Sequence, residues 1–347
     1  MTINWGVIGA GGIAYRRTIP EGIMKAKNAR LTAVMDISAE RAKAVGEQFG
    51  AAWYTDAGEL LKRQDVDAVY VATPVAHHYD AVLAAARQGK HVLCEKPLAL
   101  SLDQVDKMMA VCAEHGVKLG AGYMMRFHGA HRLLHKMLQE GELGQPVLAR
   151  AQLTCWYPPI PGAWRQDPAL GGGGALMDMG THCLDLLEML FGPIESVMAD
   201  ISVLTHDYAV DDSSLVLVHF ANGAKGIVDN NFNIPDMAAL NILEVYGTKG
   251  SVVCSGTIGQ GAGGTVTARL EQADKGYDAR QQRQSQMTTL SYQEINTYQA
   301  EVESFGESIE NNKEPEISAA LGRRNLQVVL ACYEAARTGR RVSVPTN

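Results

Sequence analysis

The sequence predicts an α/β fold: an N-terminal doubly wound parallel sheet, then a C-terminal α+β domain with a large, mostly antiparallel, open-faced sheet. Three observations carry this. Up to residue 122, short β-branched runs alternate with helical patterns of about a dozen residues, the signature of parallel βαβ units. After Tyr123 strand-like runs follow one another, two of them joined by the hairpin signal Asn222-Gly223. The length of 347 residues, 46% apolar and 20% charged, is enough for about two ordinary globular domains.

Each element has its reason. Strands are expected over 3–8, 30–35, 68–72, 91–94 and 118–121. Between them, 39–49, 78–88 and 102–115 carry apolar residues at helical spacing. A helix over 130–139 ends at Gly141 and Gly144, and strands are expected over 147–155, 197–204, 213–220, 224–232, 239–246 and 250–255. Residues 259–286, rich in Gly, Gln and charge, predict irregular connections. Helices over 297–311 and 321–338 and a strand over 341–344 close the chain. The domains are thus 1–122 and 123–347, with the closing helices expected to pack back on the first.

Composition removes several functions. Lys and Arg number 31 against 38 Asp and Glu, a formal charge of −7 with the acidic residues dispersed. A nucleic-acid partner is disfavoured, because the surplus of cations that neutralises phosphates is missing. Cys94, Cys112, Cys155, Cys183, Cys254 and Cys332 are scattered without C-x-x-C spacing, which fits a reducing compartment. No basic leader precedes the first strand and no run approaches a membrane span, so a cytoplasmic location is expected.

Gly9-Ala10-Gly11-Gly12-Ile13-Ala14 follows the first strand and opens a helix, matching G-x-G-x-x-A. The glycines permit a tight turn and bring backbone N–H groups close to a pyrophosphate at a helix N-terminus. Asp36 ends the second strand, where a carboxylate accepts both hydroxyls of an adenosine ribose and repels a 2'-phosphate. An alternative role for Asp36 is an N-cap, for which Ser38 competes. Arg41, one turn on, is able to pair with a phosphate, so NAD is favoured with NADP as the alternative.

Thr73-Pro74-Val75-Ala76-His77-His78 ends the third predicted strand and Glu95-Lys96-Pro97 the fourth. Strand C-termini of an open parallel sheet form its ligand crevice, so Lys96 would point an ammonium into it. Further on, Trp164-Arg165-Gln166-Asp167-Pro168 precedes four glycines and a helix whose apolar stripe includes Leu176, Met179, Cys183 and Leu186. Asp178 and His182, four apart, share another stripe with Asp185. A carboxylate beside an imidazole suits proton transfer, or else a buttress between elements.

In order and spacing, these motifs resemble the Gfo/Idh/MocA family of nicotinamide-dependent oxidoreductases, over nearly the whole chain. The resemblance implies a Rossmann domain and an open-faced α/β domain whose sheet commonly mediates dimers or tetramers. It implies a catalytic set of Lys96, Asp178 and His182, with Glu95 and Lys96 beside the nicotinamide. Thr73, Pro74 and His78 would line the cofactor cleft, which Trp164 and Arg165 would reach from the second domain. The chain departs from the family at Tyr123-Met124-Met125-Arg126-Phe127, where many members carry an Asn or an Arg-Arg pair.

The expected function is hydride transfer between NAD(P) and a hydroxyl-bearing carbon of a cyclic polyol, sugar or sugar derivative. His182 would take the hydroxyl proton and Lys96 would stabilise the developing alkoxide, while Arg126, Asp167 and Asp178 bond hydroxyls. Trp156 and the proline run 158–161 form either a loop suited to sugar stacking or a packed surface loop. No metal is expected: His128, His131 and His135 lie at helical spacing but without a carboxylate or thiolate, and the Asp178, His182, Asp185 trio needs no ion in the family logic. Two alternatives stand beside a net dehydrogenase. One is a glycoside-cleaving enzyme that retains NAD and oxidises a sugar carbon transiently; the other is a silent NAD-binding sensor, against which the intact catalytic set argues.

Overall fold

A computed structural model describes residues 1–271, 277, 279 and 286–346. The chain divides into two compact units. The first comprises Met1–Met124, Ile160–Asp178 and Asn296–Gln327; the second comprises Met125–Pro159, Met179–Ile295 and Val328–Asn347.

The first unit holds six strands: β1 (Ile3–Ile8), β2 (Ala29–Met35), β3 (Ala52–Tyr54), β4 (Ala68–Val71), β5 (His91–Glu95) and β6 (Leu119–Gly122). Their order is β3-β2-β1-β4-β5-β6 with every pair parallel, so the expected doubly wound sheet is present. The winding reverses between β1 and β4, the switch point at which such sheets bind ligands. β4 is buried along its whole length, as a strand covered on both faces should be. Trp5 and Tyr70 lie in the same core as Phe305, from the helix Thr297–Glu310, with the rings of Trp5 and Phe305 centred 5.7 Å apart. At Gly120 an added Cβ would come within 2.8 Å of the Phe305 ring, which is why that strand carries no side chain there.

Two features of this unit differ from expectation. β3 and the short helix Ala57–Leu61 were not foreseen, because three strand residues and five helical ones are too short to show a period. The helix after the glycine turn, Ala14–Ile23, is π-wound, with Met24 N–H reaching Ile19 O at 3.0 Å. Pro20 lies inside it, where α-winding would bring its ring against a carbonyl four residues back.

The second unit is built on nine strands: β7 (Pro146–Thr154), β8 (Ile194–Ser202), β9 (Ser213–Phe220), β10 (Lys225–Asn231), β11 (Ile242–Gly247), β12 (Gly250–Ser255), β13 (Thr265–Leu270), β14 (Thr288–Leu290) and β15 (Val342–Ser343). They run β14-β13-β12-β11-β7-β10-β9-β8-β15, antiparallel except for β7 with β10. Asn222-Gly223 turns β9 into β10 as expected, with Gly223 at φ +88. The helix Thr181–Phe191 covers one face: a Cβ on Gly226 would stand 3.3 Å from Leu187. Irregular structure was expected over 259–286, yet Thr265–Leu270 is a strand paired with β12. Its glycine-rich approach masks the alternation of buried Val266 and Ala268 with outward residues. Residues 272–276, 278 and 280–285 of that stretch lie outside the described residues. Among the described residues, no helix is long and apolar enough to cross a membrane.

Candidate active site

The glycine turn is fixed by β1 and β2. Gly9 N–H and Ala10 N–H both donate to Met35 O, at 2.9 and 3.0 Å. Gly9 takes φ +90, and a Cβ there would meet the Ala72 carbonyl and Thr73 N at 2.8 Å, so only glycine lets the turn lie against the end of β4. An added Cβ at Gly12 would meet nothing within 4 Å, so the turn is open on that side. Thr73 Oγ1, next to the turn, is buried and has no hydrogen-bond partner among the described residues. An open glycine cradle with an orphaned hydroxyl beside it fits a pyrophosphate-bearing cofactor.

Asp36 stands at the end of β2, almost wholly buried. Its Oδ1 accepts from Ser38 N–H at 3.0 Å and from Arg41 Nη1 at 3.1 Å. The helix Ala39–Phe49 is capped by Ser38 instead, whose Oγ accepts from Arg41 N–H. The side chain of Arg41 lies across Gly11, where a Cβ would touch its Cδ at 3.0 Å.

His78 joins the ends of β4 and β5. Its ring nitrogens lie 2.9 Å from Thr73 O and 3.0 Å from Pro97 O. Burial pushes its pKa down to about 4, against the opposing pull of those backbone bonds, so the ring is neutral at pH 7. At the end of β5, Tyr70 Oη donates to Glu95 Oε1 and Lys96 N–H to Oε2. Burial pushes the Glu95 carboxyl up, with Lys96 pulling the other way. The Lys96–Pro97 bond is cis.

Lys96 Nζ donates to Asp178 Oδ1 at 2.9 Å and to Asp178 O at 2.5 Å. Arg165 Nε lies 3.1 Å from the same Oδ1, and its guanidinium sits 4.2 Å over the Trp164 ring. Burial alone would raise the Asp178 carboxyl, but Arg165 and Lys96 outweigh it and hold the group well below the usual carboxylate range. Two cations thus converge on one ionised carboxylate, all within the first unit. Such a centre stabilises negative charge that develops on a bound oxygen. Trp164 and Arg165, expected to come from the second domain, belong to the same unit as Lys96. Asp167, exposed, caps the short helix Pro168–Gly171 through a 2.9 Å bond from Ala169 N–H.

His182, Arg126 and Trp156 belong to the second unit. The segment carrying Asp178 is π-wound over Leu176–Gly180 before the helix Thr181–Phe191 that bears buried His182 and, one turn on, Asp185. The sequence linked Asp185 to His182. In the structure it takes Arg126, through Nε–Oδ2 and Nη2–Oδ1 bonds both 2.8 Å long. Asp185 is 2% exposed and Arg126 17%. Removing one partner of such a buried pair costs about 3–5 kcal/mol. Trp156 is exposed, its ring edge-on to His206 at 4.9 Å. The histidines at helical spacing are engaged separately: His131 reaches Met125 O and Thr257 Oγ1, His128 reaches Gly263 O, and His135 meets Gln139.

Sequence reasoning missed Tyr70 and Glu301. Tyr70 is the one polar tip in the apolar run of β4. Glu301 falls on the stripe of Tyr298, Val302 and Phe305, and a charge at a buried helical position is a signal that was there to read.

Two family models match the chain: an oxidoreductase family with NAD-binding Rossmann fold over residues 3–123, and the GFO/IDH/MocA C-terminal domain over residues 131–253. A 1,5-anhydro-D-fructose reductase from Ensifer adhaerens is 32% identical over 99% of both chains. The chain belongs to the Gfo/Idh/MocA family of oxidoreductases. Another relative in the family is a myo-inositol 2-dehydrogenase from Thermotoga maritima, 30% identical over 98% of each chain. The solved aldose-aldose oxidoreductase of Caulobacter crescentus superposes with a TM-score of 0.89 at 28% identity, covering 99% of this chain and 100% of that one. This Gfo/Idh/MocA chain is thus an oxidoreductase with an NAD-binding Rossmann domain and the family's second sheet.

Proposed function

We propose that this Gfo/Idh/MocA protein is an NAD-preferring dehydrogenase or reductase acting on a hydroxyl-bearing carbon of a cyclic polyol, sugar or sugar derivative. The observation that carries the reading is the convergence of Lys96 and Arg165 on Asp178 at the end of β5. The relatives' named substrates, 1,5-anhydro-D-fructose and myo-inositol, support the substrate class.

The turn from Gly9 through Ala10, Gly11 and Gly12 to Ile13 would hold the pyrophosphate, Asp36 the ribose hydroxyls, and Thr73, Pro74, Glu95, Trp164 and Arg165 the remainder of the cofactor. His78 would act by fixing the ends of β4 and β5. Bound NAD(P) supplies the redox chemistry. Lys96 Nζ orients the substrate oxygen and stabilises negative charge on it, Asp178 bonds a neighbouring hydroxyl, and His182 takes the hydroxyl proton.

A cofactor-reduction screen over polyols, pyranoses, furanoses and glycosides, run with NAD and NADP, tests this. Stoichiometric NADH formation with a polyol or free sugar is expected, with kcat/KM higher for NAD because Asp36 repels a 2'-phosphate. Turnover of a glycoside without NADH release would sink the net-dehydrogenase reading. A preference for NADP would mean that Arg41 leaves Asp36 for the phosphate.

The outer face of the second sheet supports self-association. Met198 and Leu217 are cross-strand partners there and, with Leu215, are between 38% and 50% exposed. Such a face can present a self-complementary surface. Light scattering at micromolar concentration is expected to give a dimer or tetramer, and Leu217→Asp to shift it toward monomer. A monomer mass for the parent protein contradicts the assembly.

A further inference from the structure

Glu301 sits on the inward stripe of the helix Thr297–Glu310 and is 3% exposed. Neither of its carboxyl oxygens has a hydrogen-bond partner among the described residues. Glu95 lies within its electrostatic reach and is supplied quite differently. Tyr70 Oη donates to one Glu95 oxygen and Lys96 N–H, 3.2 Å away, to the other, while Tyr70 Oη itself accepts from Thr18 Oγ1 at 2.9 Å. Two carboxyls in one buried pocket do not both ionise, and hydrogen-bond donors decide which of them carries the charge. Among the described residues, the donors all stand on Glu95.

We propose that Glu301 is a positioning residue, a neutral carboxylic acid that holds one proton in the Tyr70–Glu95 pocket and leaves the negative charge there to Glu95. The remaining charged and titratable groups around the pocket agree with this. Lys96, directly after β5, and Arg165 favour an ionised Glu95, Arg17 and Glu21 act on Tyr298 from the helix Ala14–Ile23, and Tyr70 and Tyr298 are both held neutral, chiefly by burial. Burial, then the Glu95 charge, pushes the Glu301 carboxyl well above the ordinary range. The consequence lies at Glu95: a neutral Glu301 leaves it as the charged carboxyl that Tyr70 Oη and Lys96 N–H serve. All of these groups belong to the first unit, and the protonation of Glu301 is independent of the substrate class proposed above.

The sign of the pH effect follows. A carboxyl that keeps its proton in the native state but loses it on unfolding, where its pKa is about 4.3, makes the native state less stable as pH rises. Glu301→Gln has no proton to lose there. Its Tm relative to the parent is expected to rise between pH 5 and pH 8, by about 2–4 °C or more. Infrared difference spectra at pH 7 are expected to show a protonated-carboxyl C=O band that Glu301→Gln removes, a signature that a merely structural role does not produce. Glu301→Met provides the assignment if the glutamine variant does not accumulate. A Tm difference independent of pH, a Glu301→Gln deficit that widens with pH, or a parent spectrum without the band would each overturn the proposal.

Discussion

Lys96→Met will bind the nicotinamide cofactor and lose turnover, kcat falling by roughly 10²–10⁴-fold. Methionine keeps most of the volume of the lysine side chain and removes only the ammonium. The fold should tolerate the change, because Asp178 keeps its 3.1 Å bond from Arg165 Nε and is not left as a lone buried charge. The loss is therefore expected in kcat, with the Kd for NAD, read from fluorescence quenching, within a few-fold of the parent. Steady-state activity within tenfold of the parent would remove Lys96 from the mechanism. A loss of cofactor affinity as large as the loss of kcat would make it a binding residue only.

The second large effect is expected at His182. His182→Asn should lower kcat by about 10²–10⁴-fold with a much smaller rise in KM, and flatten the acidic limb of the pH profile, since that limb reports protonation of the base. Asp178→Asn divides differently. The amide still bonds a hydroxyl but no longer attracts Lys96 and Arg165, so KM should carry more of the effect. The rival assignment gives the proton relay to Lys96 and leaves His182 as a positioning group. An acidic limb unchanged in His182→Asn would favour that rival and remove His182 as the base.

The parts of this fold that were legible are those specified locally. Ile3–Ile8 followed by three glycines in four residues specifies a strand and a turn at positive φ, and the structure has both. Asn222-Gly223 names its hairpin in the same way. What escaped depends on partners far along the chain or on elements too short for a period. Ala52–Tyr54 is a strand only because β2 lies beside it. The π-turn over Leu176–Gly180 has the same residues at the same spacing as an α-helix, and no composition distinguishes the two windings. In the site, Lys96, Asp178 and Arg165 were each readable as polar residues at informative positions, but the sharing of Asp178 by Arg165 and Lys96 was not. Arg165 meets that carboxylate through a segment that packs against a distant stretch of chain, a Cβ on Gly172 standing 2.6 Å from the Leu100 side chain. Asp185 was read as a partner of His182 because it is one helical turn away. The partner the structure shows is a bidentate guanidinium 59 residues back in sequence, which helical spacing does not reveal.

The first unit is assembled from three separate stretches of chain, and this bears on biosynthesis. Residues emerging early from the ribosome include all six of its parallel strands, yet Trp5 lacks Phe305 and Gly120 lacks its bridge to Ser318 until residues near 320 have been made. At about 5–20 residues per second, that interval lasts many seconds. Throughout it, Trp5, Tyr70 and Leu93 lack the cover that Val302 and Phe305 give them in the finished core. A chain that stops before the last helices therefore lacks part of the core of its own nucleotide-binding sheet.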